Sequence, residues 1–572
     1  MTTTPEEPEG KRLGIVTDLD SCIGCQVCAV HCKDWNTDGH LSDLSDRRPI
    51  DIDPSGVWFN RVHAIECGDP PDDRLVHFPR SCLHCEIPAC AEVCPTGAIF
   101  KRAEDGIVLV NENYCIGCKL CSWACPYGAL EYSFDAGAMQ KCTMCVDRIY
   151  DDDLAEADRV PVCVSSCPVS ARHFGDLGDP DSAVSKLSEE RGGYDLMPEL
   201  GYGPVNKYLP PREHTAEAVS EGAPGSPAPL NLIPVSADTE NSGDTKPRSF
   251  LMRLITGENP ARPAIIFTTL SGAGYGILVW AAFFAFFGGV PPDRWFGLAI
   301  FATAFLLIGT GLFAAATGVG KPGLVWLAYT QWRSSWFSRL SVFSLAAFGP
   351  ALVFALGWVV FESYGDFWRL MSGLTVFLSL GAVICATMVY ASLRTVRAWF
   401  NPHTIRVFIC MALWSGIVWF NMFAQLFSLH TPVIGIVLII IGVATLIFKR
   451  KYWIFLDNSP SWVTPESATG LGALEPLRMK DGPTTLENYI HREMGGAIDR
   501  AQVEMLRRRS FLLYLLVPFC AATIPVEMEA WIRIFAASAG VVSVMIGIAI
   551  ERWLFFAEAK HTAMLYYGSE TS

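Results

Sequence analysis

Apolar and polar positions divide the chain into two parts of different character. Residues 1–213 carry only short apolar runs, whereas long apolar runs dominate from about residue 264 onward. The stretch between them is rich in Ser, Pro, Gly, Ala and acidic residues, a composition that cannot bury a core. We therefore predict an N-terminal domain over 1–213, a disordered linker over 214–250 and a helical part over 251–572.

The long apolar runs predict a bundle of membrane helices. About 20 apolar residues suffice for a helix to cross a hydrocarbon core of about 30 Å. The runs contain few charges, which argues against the alternative of buried helices in a soluble protein. The seventh run is the shortest and contains Pro518. We predict eight transmembrane helices, at about 264–288, 296–317, 338–361, 370–392, 405–427, 432–449, 510–526 and 531–556.

Basic residues near the helix ends predict the orientation of this bundle. On the side opposite to the N-terminal domain we find only Arg294, Arg369 and Arg533. The basic residues on the same side as that domain include Arg253, Arg262, Lys321, Arg333, Arg339, Arg394, Arg397, Arg406, Lys449, Arg450, Lys451, Arg507, Arg508 and Arg509. Residues 1–10 are polar and acidic, so we expect no secretory signal. We predict a multi-pass protein of the cytoplasmic membrane, with its N-terminal domain on the cytoplasmic side.

Shorter patterns predict the elements of the N-terminal domain and of one long loop. Leu13–Asp18 is an apolar run typical of a strand, and residues 57–65 alternate as a strand does. The segments 98–101 and 106–110 flank turn residues and predict a β-hairpin. Residues 484–509 have apolar positions at helical spacing, which predicts an amphipathic helix against the membrane or the N-terminal domain.

Cysteines carry the candidate chemistry. Seventeen of the 20 cysteines precede residue 168, and sixteen of these form four quartets, the first and third with the ferredoxin spacing C-x2-C-x2-C-x3-C. Three quartets end in Cys-Pro. The quartets are Cys22, Cys25, Cys28 and Cys32; Cys82, Cys85, Cys90 and Cys94; Cys115, Cys118, Cys121 and Cys125; and Cys142, Cys145, Cys163 and Cys167.

Two other uses of cysteine fit this pattern less well. Zinc sites use two pairs separated by a longer span and do not need four cysteines within eleven residues. A disulfide framework is typical of short secreted chains. The remaining Cys67, Cys385, Cys410 and Cys520 are interpreted as small apolar core residues. The net charge of −14 also argues against nucleic acid as a partner.

Several segments around the quartets resemble the four-cluster electron-transfer subunit of the dimethyl sulfoxide reductase family of molybdopterin oxidoreductases. They are His84–Cys90, Cys94–Ala98, Cys125–Ala129 and Lys141–Cys145, and the resemblance extends over 13–178. It implies an α+β ferredoxin-like domain with four [4Fe–4S] clusters and a separate molybdopterin catalytic subunit. The implied ligand sets are Cys22, Cys25, Cys28 and Cys167; Cys142, Cys145, Cys163 and Cys32; Cys82, Cys85, Cys90 and Cys125; and Cys115, Cys118, Cys121 and Cys94.

The helical part resembles the membrane anchor of the same family in the segments 318–322, 334–339 and 552–556. Anchors of this family often carry His near the position of Gly318 and an acid beside that of Arg339, where this chain has Gly318 and Leu340. We expect an all-α bundle with a quinone site at its cytoplasmic end, where Glu551 pairs with an arginine of a neighbouring helix. The candidate quinone-binding residues are Lys321, Arg339, Glu551, Arg552 and His561.

These expectations predict a non-catalytic subunit that links a molybdopterin enzyme to membrane quinone. The predicted topology favours sulfite oxidation with quinone reduction, and the alternative is a quinol-oxidising reductase of dimethyl sulfoxide or another S- or N-oxide. A third hypothesis, a redox-driven ion-motive or transport module, needs ionisable groups at mid-membrane, where we find none. We expect no haem, because the candidate axial ligands His403, His430 and His561 lie at or beyond helix ends.

Overall fold

A computed structural model describes residues 10–36, 57–71, 73–212, 262–363, 365–459, 462–481, 488–494, 500–522 and 528–569. The predicted linker lies outside these residues. The architecture is a ferredoxin-like α+β domain followed by an all-helical region, as predicted.

The N-terminal domain consists of short strands and short helices between the cysteine quartets. Its strands are β1 Leu13–Asp18, β2 Arg61–Cys67, β3 Arg74–Arg80, β4 Ile99–Lys101, β5 Val108–Val110, β6 Glu131–Ser133, β7 Ala138–Gln140, β8 Arg172–Asp176 and β9 Lys207–Leu209. Its helices are α1 Val27–Asn36, α2 Ala89–Glu92, α3 Leu120–Ala124, α4 Val146–Ile149, α5 Val162–Ser165 and α6 Ala183–Glu190.

Strand pairing brings distant quartets together. In one sheet β1 lies between antiparallel β8 and parallel β9, so the loop after β1 and the end of the fourth quartet meet at one edge. The hairpins β4–β5 and β6–β7 follow the second and third quartets, as two copies of one module would. The first hairpin is the one predicted. The predicted strand over 57–65 instead begins at Arg61.

Seven helices are long and apolar enough to cross a membrane, among the residues that the structure describes. They contain 24–28 residues each, which at 1.5 Å per residue exceeds a hydrocarbon core of about 30 Å. These helices indicate a multi-pass membrane protein. They are α7 Arg262–Phe286, α8 Arg294–Thr317, α9 Trp336–Val359, α10 Asp366–Ala391, α11 Pro402–Leu426, α12 Pro432–Asn458 and α17 Ala530–Ala557.

The predicted span over 510–526 differs from the other seven. The span begins at the end of α15 Arg500–Phe511. A π-helical turn over Leu512–Leu516 and α16 Val517–Ala522 follow within it. Pro518 cannot donate to the carbonyl of Tyr514, and a wider turn relieves the clash. That carbonyl instead accepts a hydrogen bond from the Trp414 indole of α11. The segment runs antiparallel to α17, because Ser543 bonds Leu513 and the α17 C-terminus reaches α15.

The N-terminal domain contacts one end of the bundle. Lys321 N donates to the Ile116 carbonyl at 3.0 Å and Ser335 Oγ to the Val93 carbonyl at 2.8 Å. Gly320 lies against the backbone of Gly137 so closely that a side chain would collide with it. All these bundle residues lie in or beside loops at the same end, so this end forms the docking surface.

The connection after α12 also belongs to the N-terminal domain. It contains α13 Pro465–Thr469, then β10 Leu477–Asp481, which pairs antiparallel with β2, and α14 Tyr489–Met494. The amphipathic helix predicted over 484–509 is described only in part, and α14 and the start of α15 fall within it. That these segments form one continuous helix stays a prediction. Residues 495–499 lie outside the described ranges.

The indole bond to the carbonyl freed by Pro518 should contribute to stability. Replacing Trp414 by Phe leaves this carbonyl without its donor in the protein interior, and we expect the free energy of unfolding to fall by about 1–3 kcal/mol. The matched control is Trp419→Phe, since the Trp419 indole has no partner within the described part of the chain. Unfolding in detergent, followed by circular dichroism, measures both variants. Equal losses would contradict this role for the Trp414 bond.

Candidate functional site

One cavity of the N-terminal domain is lined by thiols from the first and fourth quartets. Cys22, Cys25 and Cys28 lie on the loop after β1 and on α1, and Cys167 follows α5. Gly24 has a φ of 70° in this loop, and a side chain there would collide with His77. The loop therefore needs glycine to bring its backbone amide towards the sulfur of Cys22.

A second cavity combines the second and third quartets. It is lined by Cys82, Cys85, Cys90 and Cys125. His84 between the first two thiols has a φ of 45°, a left-handed conformation that curls the loop. Its side chain is fully buried and its Nδ1 accepts a hydrogen bond from the amide of Val108 at 3.1 Å. His84 thus fixes the loop to the first hairpin, and the thiols carry the candidate chemistry.

The other eight thiols form two further groups. Cys32 interacts electrostatically with Cys142, Cys163 and Cys145. In the second group, Cys94 interacts electrostatically with three thiols of the third quartet, namely Cys115, Cys118 and Cys121. The two cavities and these electrostatic contacts bring together thiols of different quartets. The four ligand sets that the family resemblance implies stay a prediction.

Burial and mutual repulsion shape the chemistry of these thiols. The pKa of Cys22 and of Cys125 is raised to about 11, mainly by burial and to a smaller extent by neighbouring thiols. Iron binding reverses this preference, because metal-bound thiols lose their protons. Among the described residues, no three or more His, Cys, Asp or Glu side chains close around a single ion. Thiols spread around a cavity fit a cubane cluster better than a zinc ion.

Buried cations accompany the thiols. Arg172 lies at the start of β8 and interacts with Cys28 and Cys163, and Lys141 interacts with Cys90 and Cys142. Positive charge beside an anionic cluster stabilises its reduced form and raises its potential. Sequence reasoning missed Arg172, although its place shortly after the Cys167-Pro168 pair was a usable signal.

The third quartet contacts the docking surface through helix α3. Trp123 lies on α3 between Cys121 and Cys125, and its carbonyl accepts hydrogen bonds from Thr395 and from His561 Nε2. Its ring lies 5.5 Å from the ring of Trp399. Two of the four thiol groups therefore meet the bundle through this one short helix.

The candidate quinone-binding residues lie in different parts of the structure and do not form one site. Lys321 Nζ donates to the Glu112 carbonyl at 2.8 Å and so holds the N-terminal domain. Arg339 donates to the Trp332 carbonyl at 3.0 Å and stacks on Trp336 at 4.2 Å, on the outside of the bundle. These contacts make both residues anchors of local structure and place neither beside Arg552.

His561 is fully buried between the two halves of the protein. Its Nδ1 accepts from the amide of Ala563 at 3.0 Å, so Nε2 carries the proton and donates to the Trp123 carbonyl. Burial lowers the pKa of His561 to about 4, and the bond to Trp123 offsets only part of this effect. His561 is therefore a neutral positioning residue at neutral pH.

Glu551 and Arg552 form a buried charged cluster with Lys449 of α12. Glu551 Oε1 pairs with Lys449, and its Oε2 lies 3.3 Å from Arg552 Nη1. The exposed fraction of each residue is 2% or less. The predicted arginine partner from a neighbouring helix is thus wrong, because the partner is a lysine. Sequence reasoning counted Lys449 among the surface charges at the helix ends.

A narrow cavity begins at Arg552 and lies between α7, α10, α11 and α17. Its lining includes Thr269, Tyr275, Met411 and Ser415. Thr269 Oγ1 and Arg552 Nε are buried without a hydrogen-bond partner among the described residues, and Arg552 covers the ring of Phe408 at 3.5 Å. Buried polar atoms of this kind indicate a place for a polar ligand or water.

Comparisons with known proteins concern the N-terminal region. A family profile described as a 4Fe-4S dicluster domain matches residues 74–177. The B subunit of the sulfite dehydrogenase of Allochromatium vinosum is 54% identical over 202 residues, which are 35% of this chain and 84% of the relative. The corresponding B subunit of the anaerobic dimethyl sulfoxide reductase of Escherichia coli is 40% identical over 29% of this chain and 75% of its own length.

A further relative serves a different reductase. The B subunit of the tetrathionate reductase of Salmonella typhimurium is 35% identical over 36% of this chain and 76% of its own length. Each of these alignments covers more than two thirds of the relative. The chain therefore belongs to the family of iron–sulfur subunits of sulfite dehydrogenase, dimethyl sulfoxide reductase and tetrathionate reductase, and a bundle of membrane-like helices follows its iron–sulfur region.

Proposed function

We propose that this chain is an electron-transfer and anchor subunit that links a separate molybdopterin catalytic subunit to membrane quinone. The observation that carries the proposal is the contact of Trp123 with the bundle. Trp123 is flanked by Cys121 and Cys125, and its carbonyl is held by residues of the membrane part. A chain that only bound clusters would not need to insert a cluster loop into this surface.

The four thiol groups are the proposed ligand sets. Each would hold one [4Fe–4S] cluster, which supplies reversible one-electron transfer when bound. Buried Arg172 and Lys141 balance the negative charge of the thiolates, and Gly24 lets a loop amide approach sulfur. The loop of the first quartet is accessible, since Ile23 is 58% exposed and Cys25 is exposed. We propose this loop as the side that receives the catalytic subunit.

The proposed quinone site is the cavity at Arg552. Arg552 Nε and Thr269 Oγ1 can donate hydrogen bonds to a quinone carbonyl, and the other lining atoms are largely apolar. Met411 lines the cavity and has a flexible side chain that can make room for a ring. Glu551 supports Arg552, and His561 positions the cluster loop. Lys321 and Arg339 are left out of the site because of their anchoring contacts.

The proposed direction is sulfite oxidation with quinone reduction. The sulfite dehydrogenase relative is 54% identical, compared with 40% for the dimethyl sulfoxide reductase relative. The basic helix ends lie on the docking side, which the positive-inside rule assigns to the cytoplasm. The alternative remains a quinol-oxidising reductase with the same cluster chain. The proposal contains no haem, because His403 and His430 lie at helix ends.

Cluster content tests the ligand sets. We expect about sixteen iron atoms per chain, as four cubane clusters require. Cys118→Ser should disturb one cluster, while Cys67→Ser, a buried thiol on β2 outside the four groups, should leave all four intact. Iron analysis and electron paramagnetic resonance of the dithionite-reduced protein measure both. Zinc in place of iron, or half the iron, would refute the assignment.

The position of the C-terminus tests the orientation. A reporter that is active only in the periplasm, fused after Ser572, should be silent, because the basic ends of the helices retain that side in the cytoplasm. The same reporter inserted after Gly288, in the loop between α7 and α8, is the positive control. Strong activity of the C-terminal fusion would reverse the orientation and remove one support for sulfite oxidation.

Arginine variants test the quinone site. Arg552→Leu should abolish quinone-linked turnover while dithionite still reduces all four clusters, because the cavity loses its charged donor. Arg339→Leu is the matched control and should keep normal quinone kinetics, since its guanidinium contacts backbone on the outside of the bundle. Turnover with a short-chain quinone and the spectrum of the reduced clusters are measured for both. Normal quinone kinetics in Arg552→Leu would place the site elsewhere.

A further inference from the structure

A line of charged side chains connects the cavity with the edge of the bundle. Arg552 faces the cavity, Glu551 lies beside it, and Lys449 of α12 pairs with Glu551. The Trp453 ring comes next, 5.0 Å from Lys449 Nζ and 5.8 Å from the Arg507 guanidinium. Arg507 then pairs with Glu558 at 2.7 Å and with half-exposed Asp457 at 2.9 Å. The line ends in solvent on the docking side.

The burial of Lys449 and Glu551 needs an explanation beyond anchoring. A lysine that marks a membrane boundary extends its ammonium group to water. The side chain of Lys449 instead turns inward and is 3% exposed, and that of Glu551 is 1% exposed. Apolar side chains fill such positions at no desolvation cost, so a buried pair contributes little stability. Ionisable residues inside membrane helices more often serve ion or proton transfer.

We infer that the Lys449–Glu551 pair carries protons between the aqueous end at Asp457 and Glu558 and the quinone bound at Arg552. The inference rests on the proposed function, since it concerns the proposed quinone site. Reduction of a quinone adds two electrons and two protons, and both carbonyl oxygens become hydroxyls. The reduced clusters of this chain supply the electrons one at a time. The protons need their own route, because the cavity is otherwise lined by hydroxyl and apolar groups.

Each proton moves in three transfers along this route. The Lys449 ammonium first transfers its proton to the Glu551 carboxylate with which it is paired. Glu551 then gives this proton to the quinone oxygen, where an O–H bond forms, and is a carboxylate again. Neutral Lys449 finally regains a proton from water at the Arg507, Glu558 and Asp457 cluster. The same steps in reverse release protons during quinol oxidation. Two passes complete one two-electron reaction and leave the pair in its starting state.

Glu551 lies between the proton donor of the route and the cavity. Its carboxyl group contacts Lys449 on one side and Arg552, which lines the cavity, on the other. The titratable and charged groups that face the pair are Lys449 and Tyr452 of α12, Arg552 and Glu558 of the α17 end, Arg507 of α15, Tyr514 of the π-helical turn and Tyr390 of α10. Of the carboxyl groups here, Glu551 is the one that contacts Arg552, and Arg552 lines the cavity.

The test follows proton uptake in the complete complex. The complex in lipid vesicles is reduced with dithionite, freed of excess reductant and mixed with ubiquinone-1, while a pH dye reports proton uptake and absorbance reports cluster oxidation. Glu551→Gln should slow both by about 100-fold, the loss typical of a missing acid–base group. Glu551→Asp should recover at least a tenth of the rate. The binding constant for ubiquinone-1 should stay within twofold in both variants, whereas a merely structural role would weaken binding.

A double variant covers the case in which Glu551→Gln does not fold. Lys449→Met with Glu551→Gln removes the lysine together with the acid, so no unpaired ammonium group is left, and the glutamine oxygen still faces Arg552. We expect full cluster content and quinone binding but slow proton uptake, whose rate loses its dependence on pH between 6 and 9. Asp366→Asn, the same loss of an acid at the opposite end of the bundle, should behave as the unmodified complex.

The outcomes separate this inference from the proposed function. If the unmodified complex shows no cluster oxidation by ubiquinone-1, the proposed function fails and the inference fails with it. If the unmodified complex reacts and the double variant takes up protons at the same rate, only the proton route is overturned. Slow uptake with intact clusters and intact quinone binding supports the route.

Discussion

The structure depends on the sharing of each thiol group between two quartets. Cys167 lies with the first quartet and Cys125 with the second, so segments far apart in the chain must meet before a cluster site exists. Helix α3 lies where this sharing touches the membrane part. Cys121 before Trp123 faces one group and Cys125 after it faces another. A single contact of Trp123 therefore positions two thiol groups relative to the bundle.

The N-terminal domain is held at the bundle from several directions. The loop at Gly320 and Lys321 bonds the third-quartet loop through its backbone, and β10 extends the sheet of β2 and β3. Near the C-terminus the Tyr566 ring lies 4.4 Å from the guanidinium of Arg80, which in turn bonds the Tyr127 carbonyl. The proposed route for electrons then needs no diffusional encounter between separate subunits at this step.

Local sequence patterns predicted the elements that depend on short-range interactions. The cysteine spacings, the strand Leu13–Asp18 and seven of the eight long helices follow from short-range sequence alone. The structural features that the sequence analysis did not predict depend on contacts between segments far apart in the chain. The interruption at Pro518 is stabilised by an indole of α11, and the addition of β10 to a sheet more than 400 residues earlier has no local signal. Lys449 was read as a surface charge because its sequence context, Lys449-Arg450-Lys451, is that of a membrane boundary.

The position of the charged cluster also bears on the ion-motive hypothesis. Lys449, Glu551 and Arg552 lie within membrane helices, so the described part of the bundle does contain buried ionisable groups. They lie close to the end where α12, α15 and α17 meet and where Trp123 enters. In the proposed scheme electrons and protons therefore reach the cavity from the same side. A reaction supplied in this way moves no net charge across the bilayer, which favours an electron-transfer subunit over a redox-driven pump.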